Sequence, residues 1–249
     1  MKLTILGSAG SFAGPHSACS AYLLEQDGFR LLVDFGNGST GVLHEVCGLL
    51  GPDAVMLSHL HGDHYLDLIT YTYVRRYHPD GHPPLLPVYG PTNVRNTVAG
   101  AYGRDVDQLL SEVYTFEAIE SDRVVEVGPF AVDLRRMNHP VETYGMRIAA
   151  GGRSLAFSAD TDVCEALDDI ARESDLFLCE ASFLDGEDNP PGIHLTGRQA
   201  GEVAKRVEAR RLVLTHLVPW GDEARTFAEA SAAYDGELHV AKPRDVFEV

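Results

Sequence analysis

Hydrophobic positions along this chain follow two periods, which predict strands alternating with helices. Short apolar runs bounded by turn residues indicate strands, and stretches with apolar residues three or four apart indicate helices. The predicted strands lie at residues 2–8, 54–58, around 88, 124–127, 130–137, 144–149, 154–158, 176–179 and 211–215, together with a hairpin over 20–36 that turns at Gln26-Asp27-Gly28. The predicted helices lie at 41–50, 65–77, 163–173, 198–208 and 223–234, and residues 88–105 read as a strand, a turn and a helix.

This order of elements predicts an α/β chain in which sheets are covered by helices. Each half of the chain begins with strands and continues with alternating strands and helices. A length of 249 residues, 45% of them hydrophobic, is enough for one large domain or two fused halves.

Composition and charge narrow the class of protein. No segment reaches the roughly 20 apolar residues of a membrane helix, and the first residues lack a signal-peptide pattern, so we expect a cytoplasmic protein that does not act at a membrane. The four cysteines are scattered without a CxxC pair, which favours reduced thiols. A formal net charge of −17 gives no general attraction to nucleic acid or anionic lipid.

The stretch LSHLHGDHYLDL, residues 57–68, concentrates donors for a metal ion at a strand-to-helix junction. Residues two apart at the end of a strand point the same way, and a glycine then permits a turn into the helix. Further donors follow the strands at 130–137, 154–158 and 211–215, at the carboxyl ends where α/β sheets place their binding sites. The seven predicted ligands are His59, His61, Asp63, His64, His139, Asp160 and His216. Nitrogen and oxygen donors of this kind suit a divalent ion such as zinc or manganese.

The motif HLHGDH resembles the HxHxDH signature of the metallo-β-lactamase superfamily. The resemblance extends over the whole chain and implies one domain, residues 1–249, folded as a four-layer αβ/βα sandwich. It also implies two divalent metal ions with Asp160 as the bridging ligand. The first ion would be held by His59, His61, His139 and Asp160, and the second by Asp63, His64, Asp160 and His216.

The later part of the chain resembles one branch of this superfamily. The runs FSADTDVCEALDDIARESDLFLCEASF and HLTGRQAGEVAKRVEARRLVLTH are similar to the tRNA 3′-end endonuclease RNase Z and its phosphodiesterase relatives. In that resemblance Glu180 and His194 match a carboxylate–histidine pair that assists cleavage at the phosphate. His194 also precedes a capping-box pattern that marks a helix amino terminus, where an anion is favoured. We interpret Asp162 as the cap of the helix that follows it.

One departure from RNase Z bears on the substrate. Only about thirty residues separate Asp160 from His194, which leaves no room for the arm that grips tRNA in that family. The acidic charge also works against a polyanion. The beginning of the chain and the helix at 65–77 resemble bacterial members with cyclic-nucleotide phosphodiesterase activity.

The sequence therefore favours a dinuclear metal-dependent phosphodiesterase that hydrolyses a small phosphodiester, such as 3′,5′-cyclic AMP, by attack of a metal-bound hydroxide that Asp63 orients. The alternatives are an RNase Z-like endonuclease, a thioester or lactone hydrolase, and a metal-dependent binding module without catalysis. The resemblance also leaves a homodimer open. Candidate residues of the substrate pocket are Arg75, Arg76, His78 and His16.

Overall fold

Two β-sheets form the centre of the protein, and their strands come mainly from the first and the second half of the chain. The computed structural model describes residues 1–102 and 106–249. The first sheet consists of β1 (Lys2–Ala9), β2 (Ala18–Cys19), β3 (Ala21–Gln26), β4 (Phe29–Val33), β5 (Ala54–Met56), β6 (Leu86–Gly90), β7 (Tyr114–Ala118) and β15 (Val246–Glu248). The second sheet consists of β8 (Arg123–Val127), β9 (Phe130–Arg136), β10 (Tyr144–Ala150), β11 (Arg153–Phe157), β12 (Leu176–Glu180), β13 (Arg211–Thr215) and β14 (Glu237–Val240).

Helices cover the outer face of each sheet. They are α1 (Ser39–Cys47), α2 (Gly62–Arg76), α3 (Val94–Gly100), α4 (Val106–Ser111), α5 (Glu165–Ala171), α6 (Gly197–Arg206) and α7 (Glu223–Ala233). Leu68 of α2 shares a buried cluster with Val55 of the first sheet, and Val203 of α6 shares another with Phe177 of the second. The four-layer αβ/βα sandwich predicted from the sequence is thereby confirmed. Within the described ranges no helix is both long and apolar enough to cross a membrane.

A third apolar cluster fills the space between the sheets. It contains Leu24 and Leu31 from the first sheet and Met146 and Leu178 from the second, each at most 1% exposed. Alternate residues of β3, β4 and β12, such as Leu23, Leu32 and Phe177, belong to the helix-facing clusters, so these three strands are buried on both faces. This double burial explains why the strands read in the sequence as nearly continuous apolar runs.

Strand direction brings several loop ends to one edge of the sandwich. Strands β4 to β7 of the first sheet and β11 to β14 of the second are parallel within their sheets. Strand β9 points the same way as β11, because both pair antiparallel with β10. The segments after β4, β5, β9, β11 and β13 therefore leave from carboxyl ends, and the predicted ligands lie in them or in the first turn of α2.

The structure differs from the sequence prediction mainly at the ends of helices. Helix α5 is shorter than the predicted 163–173, and the prediction that Asp162 caps it is wrong because Cys164 is the N-cap residue. The Asp162 carboxylate instead accepts hydrogen bonds from the amides of Val163 and Gly192, both at 2.7 Å. The strand and helix predicted over 88–105 correspond to β6 and α3, and residues 103–105 of that prediction lie outside the described residues.

Candidate metal centre

The seven side chains predicted as ligands lie together at the carboxyl edge of the two sheets. Four come from the segment between β5 and the first turn of α2, and three come from loops of the second sheet. The donor atoms form two groups in which all atoms lie within 4.8 Å of one another. One group is His59, His61, His139 and Asp160, and the other is Asp63, His64 and His216.

Asp160 lies between the two groups and turns one carboxylate oxygen toward each. Its Oδ2 is 3.5 Å from His59 Nε2 and 3.9 Å from His139 Nε2. Its Oδ1 is 3.3 Å from His64 Nε2 and 3.4 Å from His216 Nε2. A single carboxylate is thus arranged to contribute one donor atom to each of two neighbouring sites.

The second group is closely spaced around Asp63. Asp63 Oδ2 lies 3.0 Å from His216 Nε2 and 3.6 Å from His64 Nε2, and the two imidazole nitrogens are 3.1 Å apart. Asp63 Oδ2 also accepts a hydrogen bond from the Ser11 amide at 2.6 Å. A loop at the amino-terminal end of the chain therefore holds this carboxylate in place.

Two buried polar atoms of the centre fit a bound cation. His59 Nε2 and Asp160 Oδ1 are buried and have no hydrogen-bond partner within residues 1–102 and 106–249. Buried polar atoms normally find a partner, and an ion is one recognised reason for an apparent exception. Five imidazoles and two carboxylates are also a donor set that suits a borderline divalent ion. The residues therefore fit a divalent metal, and the number and identity of the ions remain predictions.

The far nitrogen of several imidazoles is held by a neighbouring group, which fixes the orientation of the ring. His64 Nδ1 lies 2.8 Å from Asp34 Oδ2, and His59 Nδ1 lies 3.0 Å from the Ser58 hydroxyl. His139 Nδ1 faces the Ile193 carbonyl at 2.9 Å, and His216 Nδ1 lies 2.8 Å from Ser182 Oγ. In each of these rings Nε2 is left to face the centre.

Asp34 is a supporting group with no exposed surface. It accepts hydrogen bonds from the Ser58 amide at 2.7 Å and from the Ser58 hydroxyl at 2.8 Å, in addition to its contact with His64. It follows β4 in the run LLVDFG, so the same strand-end pattern that identified the ligands could have identified it. The Ser182 contact carried no comparable signal in the sequence.

Close backbone packing supports the centre at two glycines. A Cβ on Gly10 would lie 2.5 Å from the His216 carbonyl oxygen and 2.8 Å from His216 Nδ1. A Cβ on Gly36 would lie 2.1 Å from the carbonyl oxygen of Asp63. Both positions require the absence of a side chain, because ligand-bearing segments approach the backbone there.

Burial sets the protonation state of three imidazoles in the first group. Desolvation lowers the pKa of His59 well below its usual value, and it lowers the pKa of His61 and His139 in the same direction. A neutral imidazole is the form that binds a metal, so the lowered pKa values suit that role.

Neighbouring groups of opposite charge determine the pKa shifts of Asp160 and His64. Burial alone would raise the pKa of Asp160, but the imidazoles of His216, His64 and His59 hold that pKa well below its usual range. Burial would lower the pKa of His64, but the carboxylates of Asp160 and Asp34 outweigh it and raise that pKa. The protein therefore keeps a buried carboxylate anion between the two groups.

Glu180 and His194 form a pair beside this centre, as the resemblance predicted. His194 Nδ1 lies 2.9 Å from Glu180 Oε1, which also accepts a hydrogen bond from the Thr161 amide at 2.7 Å. A donor atom of His194 lies within 4.8 Å of those of Asp160 and His216. Burial lowers the pKa of His194, but Glu180 outweighs this effect and raises the pKa to about 9, which favours the protonated ring.

The capping box predicted after His194 is confirmed. Thr196 Oγ1 accepts from the Gln199 amide and the Gln199 side chain accepts from the Thr196 amide, so the first turn of α6 is closed by its own side chains. The N-cap of helix α6 is therefore fixed at Thr196, two residues beyond His194.

Three of the candidate substrate residues lie far from the centre along helix α2. Helix α2 begins at the metal ligands, so at 1.5 Å per residue Arg75 lies about 18 Å along the helix from Asp63. Arg75 is buried and donates to the Pro84 carbonyl, and Arg76 forms an ion pair with Glu112 at 2.8 Å.

His78 follows the same helix and lies 3.9 Å from Asp80. The length of the helix carries Arg75, Arg76 and His78 away from the donor groups, so the assignment of these residues to the substrate pocket stays a prediction. His16 is exposed and borders a cavity of about 230 Å³ next to Ser182 and Leu217. Ser182, which lines the same cavity, contacts the ligand His216, but His16 itself is not a member of either ligand group.

Comparison with known proteins identifies the family. Residues 30–217 match the β-lactamase superfamily domain. An uncharacterized protein of Mycobacterium tuberculosis is 37% identical over 254 aligned positions that cover 100% of this chain and 92% of the relative. A ribonuclease Z of Streptomyces coelicolor is 29% identical, with 97% of this chain and 95% of the relative covered.

The probable metallo-hydrolase YhfI of Bacillus subtilis is 29% identical over the full length of both chains. Its crystal structure, which is described as a metallo-β-lactamase fold protein, superimposes with a TM-score of 0.89 at 28% identity and covers 100% of this chain and 99% of YhfI. Sequence, fold and donor set therefore agree that this chain belongs to the β-lactamase superfamily and is a metal-dependent hydrolase.

Proposed function

We propose that the protein is a phosphodiesterase with two divalent metal ions that hydrolyses a small phosphodiester, most suitably a cyclic nucleotide such as 3′,5′-cyclic AMP. The observation that carries the proposal is the position of Asp160, with one oxygen toward each of two donor groups, beside the Glu180–His194 pair. Two adjacent divalent ions suit the displacement of an oxygen at phosphorus.

The contacts of the side chains suggest which of them would bind each ion and which would orient the attacking water. His59, His61, His139 and Asp160 would hold one ion, and Asp63, His64, Asp160 and His216 would hold the other. When bound, the ions would neutralise phosphate charge and acidify water near neutral pH. The Asp63 carboxylate, held by the Ser11 amide, would accept a hydrogen bond from the attacking water and orient it.

The Glu180–His194 pair would supply the proton for the oxygen that leaves the phosphorus. Glu180 is fully buried and engages His194 Nδ1, which leaves Nε2 of the protonated ring free for the substrate. We propose that His194 hydrogen-bonds the phosphate and protonates the departing oxygen, and that Glu180 orients the ring.

Two observations favour a small substrate over tRNA. The alignment with ribonuclease Z extends over 295 positions although this chain has 249 residues, so the relative carries segments that have no counterpart here. A net charge of −17 opposes binding of a polyanion, whereas a single phosphodiester carries one negative charge. The substrate itself stays a proposal, as does a cytoplasmic location.

The test is the release of AMP from 3′,5′-cyclic AMP by protein loaded with zinc or manganese, with metal content measured in the same samples. Asp160→Ala should abolish both activity and full metal loading. Asp80→Ala removes a carboxylate that is 90% exposed and should leave both unchanged. Glu180→Gln should keep the metal and lower kcat by roughly 100-fold, which is the scale of a positioned proton donor.

The same preparation separates the competing activities. Metal-loaded protein that leaves cyclic AMP intact but processes precursor tRNA would replace the proposal with an RNase Z-like endonuclease. Turnover of a glutathione thioester or a lactone, unaffected by Glu180→Gln, would replace it with carbonyl hydrolysis. Binding of nucleotide without turnover of any of these substrates would indicate a binding module.

A further inference from the structure

Two loops that adjoin the ligands Asp63 and His216 are hydrogen-bonded to each other. We call residues 10–17 the first loop and residues 217–222 the second loop. The Gly10 amide donates to the Leu217 carbonyl at 3.0 Å, and the Leu217 amide donates to the Ser8 carbonyl at 3.2 Å. The first loop follows β1 and the second follows His216, so these hydrogen bonds connect the two sheets at the edge where the ligands lie.

An aromatic pair joins the tips of these loops and is open to solvent. The rings of Phe12 and Trp220 are 4.5 Å apart between centroids, with an interplanar angle of 34°. Trp220 is 79% exposed and Phe12 is 38% exposed. A tryptophan with this much free surface is unusual for a side chain that has no binding role, because burial of an indole is strongly favourable.

The pair lies at the rim of the metal centre. Phe12 follows Ser11, whose amide is 2.6 Å from Asp63 Oδ2, and Trp220 comes four residues after His216. Both aromatic residues are therefore tied to ligands of the second group through very short stretches of backbone. A planar group bound on this pair would belong to a molecule whose other end can reach the centre.

We propose that Phe12 and Trp220 form a stacking surface for the heterocyclic base of the substrate, which assigns the small phosphodiester to the nucleotide class. The inference rests on the proposed phosphodiesterase function. The charge of −17 offers no general attraction for a phosphate, and Arg75 and Arg76 lie at the far end of α2. The ions and His194 would bind the phosphate of any phosphodiester, so selection of a nucleotide requires contacts with the neutral base, and stacking on an aromatic face supplies them without regard to charge.

The size of the effect follows from known base–aromatic stacking. Loss of one stacked aromatic side chain costs about 5- to 150-fold in affinity. The base remains in contact through substrate binding and catalysis, so the loss should raise KM and leave kcat nearly unchanged. A change in kcat alone would indicate that the substitution had disturbed the centre.

The composition of the chain provides a direct assay, because Trp220 is its only tryptophan. Tryptophan fluorescence of the intact, metal-loaded protein should be quenched in a saturable manner by adenosine 5′-monophosphate. Ribose 5-phosphate, which has the sugar and phosphate but no base, should not quench it. Phe12→Leu should weaken the quenching by AMP, since it removes the second ring of the surface.

Kinetics with cyclic AMP provide the second measurement. Trp220→Ala should raise KM roughly 10-fold, whereas Trp220→Phe should restore most of the affinity. Tyr77→Ala is the matched control, because Tyr77 is 69% exposed and lies beyond the far end of α2. Its KM should equal that of the wild type.

The outcomes separate this inference from the proposed function. Absence of quenching by AMP, or an unchanged KM in Trp220→Ala when cyclic AMP is turned over, would overturn the stacking surface and leave the phosphodiesterase intact. Saturable quenching without turnover would support the surface and reject the phosphodiesterase. Fluorescence that changes with protein concentration but not with AMP would overturn it in favour of a contact between copies of this chain.

Discussion

Replacement of Asp34 by asparagine tests whether the support of the imidazoles controls metal binding. The carboxylate accepts three hydrogen bonds, from the Ser58 amide at 2.7 Å, from the Ser58 hydroxyl at 2.8 Å and from His64 Nδ1 at 2.8 Å. Asparagine can keep the first of these, but its NH2 group then occupies the place of Oδ2. His64 Nδ1 would face a donor and become the unprotonated nitrogen, which moves the proton to Nε2.

The predicted magnitude follows from that change of tautomer. An Nε2 that carries a proton cannot donate its lone pair to a metal, so His64 would be lost as an effective ligand. Loss of such a supporting group typically lowers metal affinity or activity by about 10- to 100-fold, which corresponds to about 1.4–2.8 kcal/mol. The apo protein should also lose about 1–3 kcal/mol of unfolding free energy, because a buried charge-assisted hydrogen bond is removed.

Chelator competition on wild type and Asp34→Asn, with metal content per chain measured in parallel, is the appropriate assay. Urea unfolding of the apo proteins separates stability from affinity. Asp53→Asn is the matched control, because this exposed aspartate also accepts a backbone hydrogen bond, from Arg30 at 2.8 Å, but lies outside the ligand groups. Unchanged affinity for both ions in Asp34→Asn would refute the argument that Asp34 sets the state of His64.

Three further predictions concern the metal, the close packing around it and the core. Chelation should lower Tm, and restored metal should raise it by an amount equivalent to about 2.7 kcal/mol at one hundred times Kd, as calorimetry can measure; an identical Tm with and without metal would contradict a folded-state metal centre. Gly10→Ala should reduce metal content and activity at least 10-fold because its Cβ would overlap His216, whereas Gly41→Ala, with nothing within 4 Å, should be neutral or slightly stabilising. Phe157→Ala should lower the urea-derived unfolding free energy by about 3–5 kcal/mol, since Phe157 is 2% exposed between the sheets; a loss below 1 kcal/mol would show that the core repacks.

The sequence was sufficient to locate the centre because its donors obey a local rule. His139, Asp160 and His216 each follow an apolar strand, and parallel strands end at the same edge. The same rule applies to Asp34. A single aspartate after a strand is a common feature, however, so the sequence alone could not separate Asp34 from an ordinary surface residue. The Ser182 contact with His216 depends on how two loops pack, which no local pattern expresses.

The sequence predicted the presence of helices and strands better than it predicted how far a residue in them lies from the metal centre. The sequence allowed Arg75 and Arg76 to be placed near the substrate because they belong to the helix that begins at the ligands. Fifteen residues of helix carry them to the other end of the layer, so sequence proximity to a motif did not mean proximity in space. Strands such as β7 and β14 were not predicted, since partly exposed residues interrupt their apolar pattern.

The origin of the ligands in both sheets has a consequence for biosynthesis. Four donors lie within residues 59–64, and the remaining three are spread from His139 to His216. A nascent chain that has released only its amino-terminal half exposes the HLHGDH cluster without Asp160 or the partners from the second sheet. Capture of the full metal complement must therefore wait until the second sheet has been synthesised and has docked. Metal uptake would then serve as a late marker of completed folding, and a ribosome-bound chain that ends before His216 should bind metal only weakly.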